Sequence, residues 1–152
     1  MANSICAIPM RMLYDERNDP QMDTFIADLD IDLNAYVKHQ HPTVLDLQLA
    51  IKQSGLNLTV AQFQNAEGEQ GWSCSIKEND GYHTLISVDK VQSEQEAIKE
   101  MFYFSGGQLE TYILVMLTLV KNTGDLLLYC DSGQMCLLTK TKTVEEVLSE
   151  FS

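Results

Sequence analysis

Four sets of residues are of types that could do chemistry. Asp28, Asp30 and Asp32 alternate as the opening of a calcium loop does, with carboxylates presented from every second position. That loop also needs glycine at its sixth position and glutamate at its twelfth, to make the sharp turn and supply the bidentate ligand. The chain has Leu33 and His39 there, so the three aspartates read as a solvated face. His39 and His41 offer two imidazoles where zinc wants three or four ligands, and His83 and the cysteines are remote from them. Exposed loop histidines are the plainer reading. Cys6, Cys74, Cys130 and Cys136 contain no C-x-x-C pair, and with no secretory signal in view they read as four reduced thiols. A nucleophilic cysteine needs a histidine base and an electropositive setting. Cys74 is expected to face inward and His83 outward, while Cys130 and Cys136 flank an acidic turn that opposes a thiolate. Ser105-Gly106-Gly107 and Asp131-Ser132-Gly133 lack the lysine and repeated glycines of a phosphate loop. Neither G-x-S-x-G nor H-E-x-x-H occurs. The carboxylates are too many for any pair to be singled out as a glycosidase-like site. No catalytic residue, metal ligand or cofactor is therefore assigned, and the reading leans away from an enzyme.

Residues that could bind are easier to name. Trp72 is the only tryptophan and follows Gly71 at the start of an alternating run. Core packing is its plainer role, although tryptophan is enriched at binding hot spots. With Tyr82 and His83 it could line a pocket between sheet and helices. In Met101-Phe102-Tyr103-Phe104, three adjacent aromatics cannot share one side of a helix. Tyr103 would then point outward, as a groove or dimer contact.

Charge narrows the partners. Twenty-two Asp and Glu against ten Lys and Arg give a net charge of −12. A phosphate backbone or an anionic membrane surface is repelled by such a field, and the ten cations are scattered rather than clustered. No nucleic acid and no membrane are expected as partners. A basic protein would be steered in, while the blander reading is an acidic surface that keeps the chain in solution. The start, Met1-Ala2-Asn3-Ser4-Ile5-Cys6, has neither a basic nor an apolar leader region. The apolar run 109–120 falls far short of the ~20 residues of a membrane span. A cytoplasmic location is the expectation.

Hydrophobic periodicity and capping residues predict the elements that must position these residues. Strands are expected near 5–13, 56–64, 72–78, 82–89, 125–130 and 134–138. Pro9, which cannot donate to a ladder, marks the first of these as an edge or bulged strand. Helices are expected near 24–38, 43–54, 93–104, 108–122 and 143–151. In 24–38 the alternation Ala27, Leu29, Ile31, Leu33, Ala35 competes with helical spacing. Length and the poor strand propensity of aspartate favour helix, with Asp23 or Thr24 as cap. Thr43 with Asp46 and Ser93 with Glu96 read as capping boxes. A three-residue loop with Gly81 left-handed pairs Trp72 with Val88, Cys74 with Ile86 and Ile76 with Thr84. The helix at 108–122 is apolar nearly all round, so a partner subunit or the 93–104 helix is expected to cover it.

Strands in runs, separated by helices, predict an α+β fold: two layers, an antiparallel sheet packed by helices, in one domain spanning 1–152. From Val44 onward the order helix, three strands, helix, two strands, helix resembles that of type III secretion chaperones, with the paired helices 93–104 and 108–122 and the first 42 residues as additions and a short last helix. Immunity proteins that neutralise a toxin are the other kind of small acidic protein that fits. The expected function is a non-catalytic protein-binding module, with a protein partner, either basic or a second copy in a homodimer. The alternative is a small-molecule binder or minor enzyme with a pocket near Trp72. The residues expected to touch a partner or ligand are Trp72, Tyr82, His83 and Tyr103.

Overall fold

A computed structural model of the chain describes residues 4–66 and 69–151, without the side chains of 24, 65, 66 and 69. The fold is α+β, built on one seven-stranded antiparallel sheet. Its strands are β1 (Ile5–Pro9), β2 (Asn57–Ala66), β3 (Glu69–Lys77), β4 (His83–Asp89), β5 (Phe102–Gly106), β6 (Leu126–Cys130) and β7 (Met135–Leu138). They lie in the order β2-β3-β4-β5-β1-β6-β7. The helices are α1 (Met10–Asp15), α2 (Asp23–Leu29), α3 (Val44–Gln53), α4 (Leu109–Asn122) and α5 (Val144–Phe151), with short 3-10 turns at Pro20–Met22 and Leu33–Tyr36.

The alternation of side chains across each strand builds two separate cores. One face carries Ala7, Trp72, Cys74, Ile76, Ile86, Val88, Phe102, Leu128 and Leu138, all buried beneath α3, α4 and α5. The opposite face carries Cys6, Ile8 and Leu127, buried with Met10, Met12, Leu13, Leu33 and Tyr36 beneath the segment that runs from α1 to the second 3-10 turn. That second cover reaches only the β5-β1-β6-β7 half of the sheet. Over β2-β3-β4 the body has two layers and the sheet's second face is open.

α4 lies across the middle of the first face, packed against the sheet and between α3 and α5. Tyr112, Ile113, Val115, Met116, Leu119 and Val120 are fully buried there. The apolar circumference expected to need a partner subunit or a helix at 93–104 is thus covered from within. At its start the Gln108 N–H donates to Thr84 Oγ1 (3.1 Å), and Thr84 Oγ1 donates in turn to Glu78 Oε1 (2.7 Å). Thr84 is fully buried on the core face of β4. Near the middle of the helix's first turns, the Tyr112 hydroxyl donates to the Phe102 carbonyl, which ties α4 to β5.

Four expectations are corrected. There is no helix at 93–104. Residues 93–99 form a turn whose backbone bonds go to the entry of α3, Leu45 N–H to Glu94 O (3.2 Å) and Ile98 N–H to Pro42 O (2.7 Å), and Phe102–Gly106 is a strand. The Glu96 carboxylate accepts from the Gln92 N–H instead of capping a helix at Ser93. Aromatics favour strands, and a strand sorts the three in alternation: Phe102 and Phe104 to the α4 side, Tyr103 to the other. The strand expected at 5–13 ends at Pro9, where α1 begins. β1 is also not an edge. It lies between β5 and β6, and proline is accommodated because β5 pairs only as far as Ala7. The helix expected at 24–38 breaks at Asp30, whose φ of 50° is left-handed, and resumes as a 3-10 turn capped by Asp32. The gap between the strands expected at 56–64 and 72–78 is itself strand up to Ala66 and from Glu69, residues 67–68 lying outside the described ones. Met1–Asn3 of the leader reading and the Thr24 side chain also lie outside them.

The β3–β4 register is the one expected, Trp72 opposite Val88, Cys74 opposite Ile86 and Ile76 opposite Thr84, with Gly81 at φ 89° in the turn. Thr43 and Asp46 form a capping box on α3, and Thr143 pairs with Glu146 at the start of α5.

Gly107 makes the turn from β5 into α4 at φ 102°, and a Cβ there would lie 2.4 Å from Thr84 Cα and 2.5 Å from the His83 carbonyl oxygen. Gly107→Ala is expected to destabilise the fold by roughly 3 kcal/mol or more, because strain and overlap with backbone add. Gly133→Ala, at φ 101° with open space around the new methyl, should cost only about 1 kcal/mol. Urea unfolding midpoints of the two variants would check the difference, and equal losses would refute it.

Candidate interaction surface

Paired residues of neighbouring strands share a face, so the register draws the sheet's second face row by row. One row runs across all seven strands as Gln62, Ser73, Ser87, Tyr103, Cys6, Tyr129 and Met135. Its first three residues lie on the open half and its last three under the α1–α2 cover; Tyr103 stands at the boundary. The adjacent row on the open half is Val60, Ser75 and Leu85. Val60 is 52% exposed and Leu85 39%, each beside a floor of short serines.

A groove of about 370 Å³ follows the boundary itself. Its walls are Met22 and Phe25 from the cover, Cys6, Tyr103 and Tyr129 from the sheet, and Met101 just before β5. Phe25 stacks edge-on against Tyr129, with ring centroids 5.5 Å apart, and Cys6 Sγ lies 3.6 Å from Met101 Sδ. The lining is almost wholly apolar, and its two methionines can repack around different shapes. Asp131 lines the mouth, and the Tyr103 phenol is held above its ordinary pKa by burial first and then by Asp89, Cys6 and Glu100, against the opposing charge of Lys90.

The structure places the residues expected to make contacts far apart. Trp72 is 2% exposed, a core residue that also lines a hollow of about 520 Å³ with Gln64, Gln70, Asp89 and Lys90. His83 sits at the opposite end of that hairpin, opposite Lys77, and Tyr82 is 70% exposed in the turn before it. No shared pocket joins these three among the described residues. Tyr103 alone lies in the groove. Cys6, Met22, Phe25, Met101 and Tyr129 were not singled out by the sequence, because the groove forms where a helix from 23–29 meets strands from three distant segments.

The groups that could react are held in structural roles. Cys74 is buried and its thiol is pushed up to about 12 by burial; burial and the Cys130 side chain push Cys6 up to about 11. Cys136 is likewise pushed up to about 11, by burial and by the Glu150 carboxylate 2.9 Å away, which outweigh Lys142. Ser75 Oγ lies 2.8 Å from His83 Nδ1, but on an exposed face and with no carboxylate on the imidazole among the described residues. No group of three or more potential ligands converges on a metal position among them. The aspartates 28, 30 and 32 are exposed at the broken helix end.

His39 and His41 are half-buried rather than exposed loop residues. His39 Nδ1 accepts from the Asp125 N–H (3.2 Å) and its ring packs edge-on to Tyr36. His41 Nε2 lies 2.7 Å from Asp15 Oδ2, and Asp15 also takes Arg11 Nε at 3.0 Å. Arg11 Nη1 donates to the carbonyls of Val37 and His39 (2.6 and 3.1 Å). These contacts pin the end of the cover to α1. Burial raises the Asp15 pKa, but Arg11 and His41 together outweigh it and hold the carboxyl below its usual value.

Comparison with protein-family models, with curated proteins and with solved structures finds no match. Among the described residues, no helix is long and apolar enough to cross a membrane.

Two outcomes follow from these environments. With all four cysteines buried, thiol reagents at neutral pH should label the native protein slowly and the unfolded protein fully. Rapid native labelling of Cys6, Cys74 or Cys136, read by peptide mass spectrometry, would contradict this placement. Asp15→Asn should cost a few tenths to about 1 kcal/mol at pH 7, a modest sum because the site is one-third exposed and screened. Because the folded carboxyl is depressed, its contribution is full above the unfolded pKa and lost as pH falls through the folded one. The gap between variant and parent in denaturant midpoint should therefore close toward acid pH.

Proposed function

We propose that the protein is a non-catalytic protein-binding module that takes an apolar side chain of its partner into the groove beside Tyr103. The observation that carries this reading is the groove itself: an open apolar channel walled by two methionines and three aromatics, at the margin of a half-uncovered sheet. Methionine-rich, adaptable walls suit a side chain on a peptide or protein. Asp131 at the mouth and the net charge of −12 favour a partner whose apolar anchor is flanked by Lys or Arg. Binding of an unfolded or toxic basic protein, as in a secretion chaperone or an immunity protein, fits this chemistry.

The groove's volume also falls within the range of small-ligand sites, ~300–1,000 Å³, but such sites present several convergent polar groups. Here the polar groups of the lining are Ser4, Asp131 and the phenols of Tyr103 and Tyr129, in a surface that is otherwise apolar.

A photo-crosslinking residue in place of Tyr103, and another at Ser87, should capture the same protein in the native cell. One at Lys121, on the far end of α4, should not. The adduct should weaken as salt is raised and disappear with Met101→Asp. Native mass spectrometry showing a small molecule retained, with no adduct from either position, would overturn the reading.

A further inference from the structure

We propose that β2 is the seam of a homodimer, in which two copies pair their β2 strands antiparallel and join two seven-stranded sheets into one. This concerns a surface other than the groove, and neither reading depends on the other.

The two edges of the sheet differ. β7 is four residues long and is packed by α5. β2 is ten residues, on the order of 33 Å of strand, and contains no charged residue and no proline. Proteins normally blunt a long free edge with charges, proline, brevity or a covering element, because its unpaired N–H and C=O groups template another strand. β2 has one such device, the bulge between Leu58 and Val60, where Thr59 Oγ1 donates to the Ser75 carbonyl. Beyond it, Val60–Ala66 pairs regularly with β3 and leaves its outer side free.

Charge selects a second copy as the occupant. At −12, two chains repel over most approaches, and β2 is a neutral strip along which they can meet. Lys77 lies opposite Asn57 at one end of the strand. Antiparallel pairing keeps the two copies' Lys77 at opposite ends of the seam; parallel pairing would set them side by side. One two-fold axis gives the antiparallel arrangement. That axis also puts both α3 helices on the same side of the joined sheet. α3 packs against β2 and leaves Leu45 and Leu49 41% and 45% exposed, one turn apart.

Sedimentation of the full chain over a range of concentrations tests this. The expected species has twice the 17.2 kDa chain mass. Its dissociation constant should fall as ionic strength rises from ~0.01 to ~0.15 M, since the screening length shrinks from ~30 to ~8 Å. Val60→Lys with Gln64→Lys should weaken the dimer at least tenfold. Leu85→Lys, two strands inward on the same face, should leave it intact, with circular dichroism confirming that both variants fold. Amide exchange within 60–66 should slow as protein concentration rises. A monomer at every concentration, a dimer indifferent to the β2 lysines, or a β2 edge occupied only by a foreign strand would each overturn the proposal. A monomer would leave the expected crosslinks at Tyr103 unchanged.

Discussion

A single buried hydroxyl fixes where the helical layer meets the sheet. Thr84 is wholly enclosed on the core face of β4, where an unsatisfied hydroxyl or a stray helix N–H would be costly. It meets both demands, accepting from the residue that opens α4 and donating to Glu78 across the hairpin. Only a residue without a side chain could bring the turn that close, and Gly107 stands there. α4 then has a set origin and direction, and its apolar surface falls between the sheet, α3 and α5 without help from another chain. From that placement follow the one-sided first core and, on the other side of the sheet, a face left to the N-terminal segment alone.

Much of this was legible because local signals and long-range packing agree. Thr43 with Asp46, the alternation of Trp72, Cys74 and Ile76, Gly81 in its turn and the length of 109–120 each point to the element that forms. The failures share one cause. Ser93 and Glu96 have the spacing of a helix cap, but the backbone of 93–99 finds its partners on the entry of α3, which no local pattern discloses. The aromatic triplet 102–104 held the better signal, since alternation is what separates three adjacent rings. Pro9 misled in the same way. Its missing N–H matters only where a neighbour would accept from it, and β5 stops short of that position.

The binding surface was less legible than the fold. Tyr103 was singled out on an argument about a helix that does not exist, and it nevertheless lies beside an opening. Trp72, Tyr82 and His83 looked like neighbours in sequence but are distributed along a hairpin and across its two faces. The groove itself belongs to tertiary structure: Met22 and Phe25 arrive on one segment, Cys6 on another, and Met101, Tyr103 and Tyr129 on two more. Composition could supply the sign of the surrounding charge, but only the register shows which side chains share the opening.

The central place of β1 sets the order in which the chain can assemble. Cys6 and Met101 touch across a sequence separation of 95. Contacts of that span close late, because the loop entropy comes before any reward. During synthesis the β2–β3–β4 meander can form from neighbouring segments as it emerges. β1 must stay unpaired until 102–106 and then 126–130 have left the ribosome. β1, made before the other strands, is thus among the last placed, and its arrival joins the two halves of the sheet into one.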